Sequence, residues 1–256
     1  MTDNKTLASS VSLEILKIKD FKKTVHPLDK KLHPHLPRAN FLMCLISPPR
    51  GGKSALICNL LANPAFYNAL EYWDWIYYVS PTQSHDNSTR YLTKLENVIQ
   101  IDDHEELMNL DVILKDLMDG QMKRLQEKDP KTGKPLEMER ILIVLDDMLG
   151  YLTQNESLSN LCTRYRHYNF SIIITSQSFR KIPLVIRNCT GHIVFFKLNN
   201  EKELEKIAEE YGELYHGNFT EIARKITETK YNFVYLDNEN LKMYRNFTDL
   251  ILDASK

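Results

Sequence analysis

Apolar residues cluster in short unbroken runs at 41–46, 75–80, 141–145, 171–175 and 192–196. Each is apolar along most of its length rather than in strict alternation, the pattern of a strand buried on both faces of a parallel sheet. A weaker strand pattern covers 98–101. Helical patterns fill the spaces between. Residues 55–61 follow the first run, and 65–72 and 88–96 give further helical pieces. Residues 104–127 form a long amphipathic helix, with Leu107, Leu110, Ile113, Leu114, Leu117 and Leu125 on one stripe. Residues 156–168 and 201–213 are helical as well, the second with a charged, solvated face. Residues 231–237 and 241–245 close the chain as a β-hairpin around Asn238-Glu239-Asn240. The alternation predicts an α/β fold with a mostly parallel central sheet flanked by helices, joined by right-handed crossovers, plus the C-terminal β-hairpin.

In such a sheet, sites form where the strands reach their carboxyl ends. The first run ends in Ser47-Pro48-Pro49-Arg50-Gly51-Gly52-Lys53-Ser54. This fits the phosphate-binding pattern G-x-x-x-x-G-K-[ST], with Ser47 in place of the first glycine. Gly51 and Gly52 let backbone N–H groups turn toward phosphate oxygens, and the helix that follows aims its positive end there. Lys53 supplies a mobile charge for the outer phosphates, and Ser54 a hydroxyl for Mg²⁺. The run at 141–145 ends in Asp146-Asp147. Asp146 is placed to hold Mg²⁺ through its water shell, and Asp147 to orient or deprotonate an attacking water. The run at 171–175 leads to Gln177, placed to sense a γ-phosphate or position water. ATP is the expected ligand. Hydrolysis also needs a cation near the transferred phosphoryl group, and Arg164, Arg166, Arg180 and Arg187 are candidates.

Composition narrows the alternatives. With 8 glycines and 10 prolines in 256 residues, the composition argues against extensive disorder. The net charge of −1 means that any nucleic-acid contact comes from a local patch. The most basic segment, with Lys17, Lys19, Lys22, Lys23, Lys30, Lys31 and Arg38 against Asp20 and Asp29, reads first as a solvated, proline-punctuated lead-in and second as a DNA or neighbouring-subunit contact. It marks residues 1–38 as a basic N-terminal arm, in which Val11, Leu13 and Ile15 could form an edge strand, and leaves 39–256 as the catalytic domain. The turn with Lys128, Lys131 and Lys134 reads as an exposed loop, with a nucleic-acid contact as the alternative. Cys44, Cys58, Cys162 and Cys189 show no C-x-x-C spacing, which predicts free thiols in a reducing compartment. His33 and His35 flank a proline as loop residues. A polar start and the absence of any apolar run near ~20 residues predict a soluble intracellular protein without a membrane span.

Three stretches together resemble a known family: Ser47 to Ser54, Ile141 to Met148, and Arg164-Tyr-Arg-His-Tyr-Asn-Phe-Ser-Ile-Ile-Ile-Thr-Ser-Gln177. They look like the poxvirus-type genome-packaging ATPases of the FtsK/HerA superfamily, found in large cytoplasmic DNA viruses and virophages. The likeness spans about residues 35–215 and includes Tyr77 to Thr82 and Phe195 to Tyr211. It implies a RecA-like P-loop core with the Gln177 strand between the other two motif strands. It implies a pentameric or hexameric ring, ATP hydrolysis at subunit boundaries, and double-stranded DNA driven into a capsid, with capsid or portal vertex proteins as partners in the virion or the viral factory. By motif, Arg166 would be the finger reaching a neighbour, with Arg164 second. The chain departs from the pattern at Ser47, and at Asp146-Asp147, where many superfamily members have Asp-Glu. The alternatives are another DNA-associated P-loop ATPase, of loader or recombination type, and a nucleotide-binding scaffold that does not hydrolyse.

Overall fold

The apolar runs lie side by side. A computed structural model describes residues 26–81, 91–148, 150, 156–215 and 217–255. Its strands are β1 (Leu42–Ile46), β2 (Trp75–Val79), β3 (Val98–Ile101), β4 (Ile141–Leu145), β5 (Phe170–Ser176), β6 (His192–Phe195), β7 (Val234–Asp237), β8 (Lys242–Arg245) and β9 (Asp249–Asp253). They form one sheet in the order β3-β2-β4-β5-β1-β6-β7-β8-β9. The first six are parallel and the last three antiparallel. The strand ending in Gln177 lies between the phosphate-loop strand and the Asp-Asp strand, as the resemblance implies.

The helices are α1 (Lys53–Ala62), α2 (Ala69–Tyr72), α3 (His104–Met108), α4 (Leu110–Gln126), α5 (Glu156–Arg164), α6 (Leu184–Cys189), α7 (Glu201–Tyr211) and α8 (Phe219–Glu228). Both sheet faces are covered. On one, Met43, Leu45, Val144 and Ile173 pack with Leu56, Ile57, Leu60 and Leu61 of α1. On the other, Cys44, Ile143 and Ile174 pack with Leu114 of α4, Leu161 of α5, Ile207 of α7 and Ala223 of α8. Burial on both sides removes the need for polar alternation, hence the unbroken runs.

Several local expectations change. The helix expected over 104–127 breaks at Asn109, whose N–H is shared between the Glu105 and Glu106 carbonyls, and Leu125 is exposed. The helix expected over 156–168 tightens into a 3₁₀ turn at Tyr165–Tyr168. Over 65–72 only α2 is helical. Of 88–96, residues 88–90 lie outside the described residues and Leu92–Lys94 is a 3₁₀ turn. The closing hairpin gains β9 as a third strand. Helix α8 was not foreseen, although Phe219, Ile222, Ala223 and Ile226 carry the helical spacing that would reveal it.

The basic stretch up to Lys23, with the expected strand around Val11 to Ile15, lies outside the described residues. Residues 26–38 lie against the body. Asp29 pairs with Arg140 at 3.0 Å and accepts from the Tyr72 hydroxyl at 2.7 Å. Leu36 is buried, and His35 Nδ1 is 2.7 Å from the Phe247 carbonyl. All four cysteines are free thiols. Cys44 is sealed inside the sheet, and burial pushes its thiol up to about 12.

Candidate active site

Register brings the three motifs to one place. Leu145 pairs with Ile174, and Ile46 with Ser176. Asp146, Gln177 and Ser47 therefore emerge together at the carboxyl ends of β4, β5 and β1. Asp147 is the hub: Lys53 Nζ donates to its Oδ1 at 3.0 Å, and Gln177 Nε2 to its Oδ2 at 3.0 Å. Its N–H donates to Thr175 Oγ1 at 3.1 Å. Its backbone is left-handed, φ 56°. Short polar residues tolerate that region best, which gives a backbone reason for aspartate rather than glutamate here.

Asp146 sits behind, nearly buried. The Tyr78 hydroxyl donates to its Oδ2 at 2.7 Å, and Thr175 Oγ1 donates to its Oδ1. Both residues orient the carboxylate, and neither was singled out from sequence. Tyr78 looks like a packing aromatic on β2, and only the β2–β4 pairing aims its hydroxyl at Asp146. Thr175 stands inside the Thr-Ser-Gln motif, where a polar residue ending a buried strand was the available signal.

The loop explains its own departure from the pattern. Ser47 is fully buried and extends β1 through an N–H bond to the Ser176 carbonyl at 3.0 Å. A methyl group on Gly51 would lie 2.1 Å from Ser47 Oγ, and one on Gly52 3.1 Å from the Phe196 ring, with Gly52 at φ 116°. Side chains are thus shut out on both sides, and the backbone is bare for phosphate oxygens. Pro48, Pro49 and Arg50 form the outer turn, which Gly51 closes with an N–H bond to the Pro48 carbonyl at 3.0 Å. Lys53 and Ser54 open α1. Gly51→Ala is expected to weaken ATP binding about tenfold, or about 1.4 kcal/mol. Adding Ser47→Gly should restore much of it, because the two side chains compete for one space. Calorimetric titration of the single and double variants checks this; strictly additive losses would refute the fit.

The donor set suits Mg²⁺, a hard cation that takes one or two carboxylates plus substrate oxygens. Asp146 and Ser54 offer such oxygens. Among the described residues no group of three or more His, Cys, Asp or Glu side chains gathers as a cage, so no competing site for a softer metal is built there.

The arginines separate. Arg166 lies just before β5, at the opposite end of that strand from Gln177. Its Nη2 pairs with Glu239 at 2.6 Å and its Nε donates to the Tyr165 hydroxyl at 3.0 Å, with 61% of the side chain exposed. Arg164 is exposed at the end of α5. Arg180 stands on the turn Phe179–Lys181 beyond Gln177. Arg187 is buried, paired with Glu210 at 3.1 Å and packed over Phe179, which makes it a structural residue. The Arg166 end of the sheet opens a hollow of about 1520 Å³, lined by Asp29, Arg140, Arg166, His192 and Glu239. Burial pushes the His192 pKa down against the pull of Asp237 and Glu239. The glycine loop and the strand-end carboxylates are at the other pole of the sheet from this hollow.

The model of the poxvirus A32 protein family matches residues 31–214. The chain belongs to the poxvirus A32 protein family. Solved structures agree with this A32 fold. B204, the DNA-packaging ATPase of Sulfolobus turreted icosahedral virus, superposes with a TM-score of 0.56 at 16% identity, over 82% of this chain and 98% of that one. The genome packaging NTPase B204 of Sulfolobus turreted icosahedral virus 2, bound to ATP-gammaS, gives 0.53 at 13% identity, over 80% and 95%. The pCW3 conjugation coupling protein TcpA gives 0.53 at 15% identity, over 83% of this chain and 59% of TcpA. No curated protein matches the chain at a significant level. The A32 match stops at residue 214, so α8 and β7 to β9 lie beyond it. Among the described residues no helix is long and apolar enough to cross a membrane.

Proposed function

We propose that this A32-family chain is an ATP-hydrolysing motor that drives double-stranded DNA into a viral capsid. One observation carries the reading: Lys53, the Asp146-Asp147 pair and Gln177, which lie far apart in sequence, converge at the carboxyl ends of three adjacent buried strands. The loop from Ser47 to Ser54 would cradle the phosphates, with Lys53 neutralising the outer ones. Ser54 and Asp146 would hold Mg²⁺, which supplies charge neutralisation for the phosphate oxygens when bound. Asp147, hydrogen-bonded to Gln177, would accept the proton of the attacking water that Gln177 aligns. Arg166, or Arg164 after it, would complete the pocket of a neighbouring copy in a pentameric or hexameric ring. The basic arm at residues 1–38 is placed ahead of the ATPase domain in this reading, although its end from Asp29 to Leu36 packs on the body of that domain. Capsid or portal vertex proteins would receive the ring in the viral factory or the virion.

The decisive experiment measures ATP hydrolysis with and without linear duplex DNA while assembly size is followed by light scattering. Duplex DNA is expected to raise the rate of assembled protein several-fold. An assembled but DNA-indifferent ATPase would overturn the packaging role and leave a different motor on the same core.

A further inference from the structure

Strand β1 has a different neighbour on each flank. Asp146, Asp147 and Gln177 all stand on the β5 side, so the terminal phosphate faces that way. The nucleoside must then leave the loop toward β6, and there the chain gathers aromatic rings. Phe196 follows β6 directly, and its N–H donates to the Ile46 carbonyl at 3.0 Å, which holds it level with the end of β1. A methyl on Gly52 would meet the Phe196 ring at 3.1 Å and the Tyr231 ring at 3.5 Å. Both rings therefore press on the phosphate loop.

The two rings differ in exposure. Phe196 is buried, whereas Tyr231 is 59% exposed. An exposed tyrosine alone calls for no explanation. This one also has a left-handed backbone, φ 69°, which a bulky side chain seldom adopts and which concentrates at functional positions. Lys230 Nζ lies 4.8 Å from the centre of its ring. Phe196 also lines a cavity of about 410 Å³, together with Lys197, Leu198, Thr227 and Glu228 among others, a volume within the ordinary range of small-ligand pockets.

We propose that Tyr231, Phe196 and this cavity form the nucleoside end of the site, with the purine ring of ATP stacked on Tyr231. The proposal rests on the ATP reading of the phosphate loop. Stacking on an aromatic face needs no particular base edge, and Lys197 and Glu228 offer a donor and an acceptor for the sugar or the base rim. Tyr231 and Glu228 lie beyond the stretch matched by the family, whereas Phe196 and Lys197 lie inside it, so the subsite straddles the end of the match.

The test uses the full chain and two ligands, ATP and inorganic tripolyphosphate, in calorimetric titrations. Tyr231→Asn removes the ring while keeping a residue at ease in the left-handed region. It is expected to weaken ATP about tenfold, which is 1.4 kcal/mol, and to leave tripolyphosphate unchanged. Tyr231→Phe should bind both as the unaltered chain does. Equal weakening of both ligands by Tyr231→Asn, or weakening of neither, would overturn the proposal. Lys53→Ala serves as the separate control and should weaken both ligands. If it weakens neither, the phosphate-loop reading fails, whatever Tyr231 does.

Discussion

Arg166→Ala protein is expected to bind ATP as tightly as the unaltered chain and to hydrolyse it about 10³-fold more slowly, the lower end of what an arginine finger contributes. The reason is distance. Arg166 precedes β5 and Gln177 follows it, so the guanidinium and the phosphate loop of one copy are separated by the length of that strand, roughly 20 Å at ~3.3 Å per residue. Arg166 cannot serve its own pocket. It is presented outward, steadied by Tyr165 and by Glu239 on the turn between β7 and β8. Mixing supplies the check. Arg166→Ala subunits retain Lys53, and Lys53→Ala subunits retain Arg166, so an assembly of both contains some pockets with each part intact. Part of the activity should return on mixing two inactive proteins. Normal turnover by Arg166→Ala alone would remove the finger role, and Arg164 would be next to test.

The second large effect is at Asp147. Asp147→Asn should leave ATP affinity within a few-fold of normal and lower single-turnover hydrolysis by about 10²–10⁴-fold, the range for loss of a general base. Asparagine is the informative choice, since it accepts the left-handed backbone and keeps the bonds to Thr175 and Gln177 available. The charge and the proton acceptor are lost, and with them the ion pair to Lys53. Asp147→Glu should not be silent either, because the longer chain is less at ease at φ 56° and would displace Lys53 or Gln177. Full activity in the asparagine variant would move the base elsewhere.

The sequence carried the site further than the shell around it. Strands β1 and β4 are unbroken apolar runs, β5 has an apolar centre at 172–174, and polar residues follow each, so Lys53, Asp146, Asp147 and Gln177 could be named as candidates from order alone. Tyr78 could not, because a hydrogen bond across two strands depends on register, which nearby residues do not specify. The break at Asn109 was hidden for a related reason: the stripe from Leu107 to Leu114 keeps helical spacing across it. Strand β9 escaped notice because Asp249-Leu-Ile-Leu-Asp253 is short and lacks a turn signal such as Asn-Gly ahead of it.

The antiparallel strands at the end of the sheet have one more consequence. Strand β6 is apolar on both faces and pairs with β1 on one side and β7 on the other. Without β7 to β9 it would show a bare row of amide and carbonyl groups, the template through which separate molecules aggregate. The outer edge falls instead to β9, where Asp249 pairs with Arg245 on β8 and Leu250 and Ile251 are exposed. The backbone of β6 is therefore paired on both sides within the chain, by strands that carry none of the motif residues.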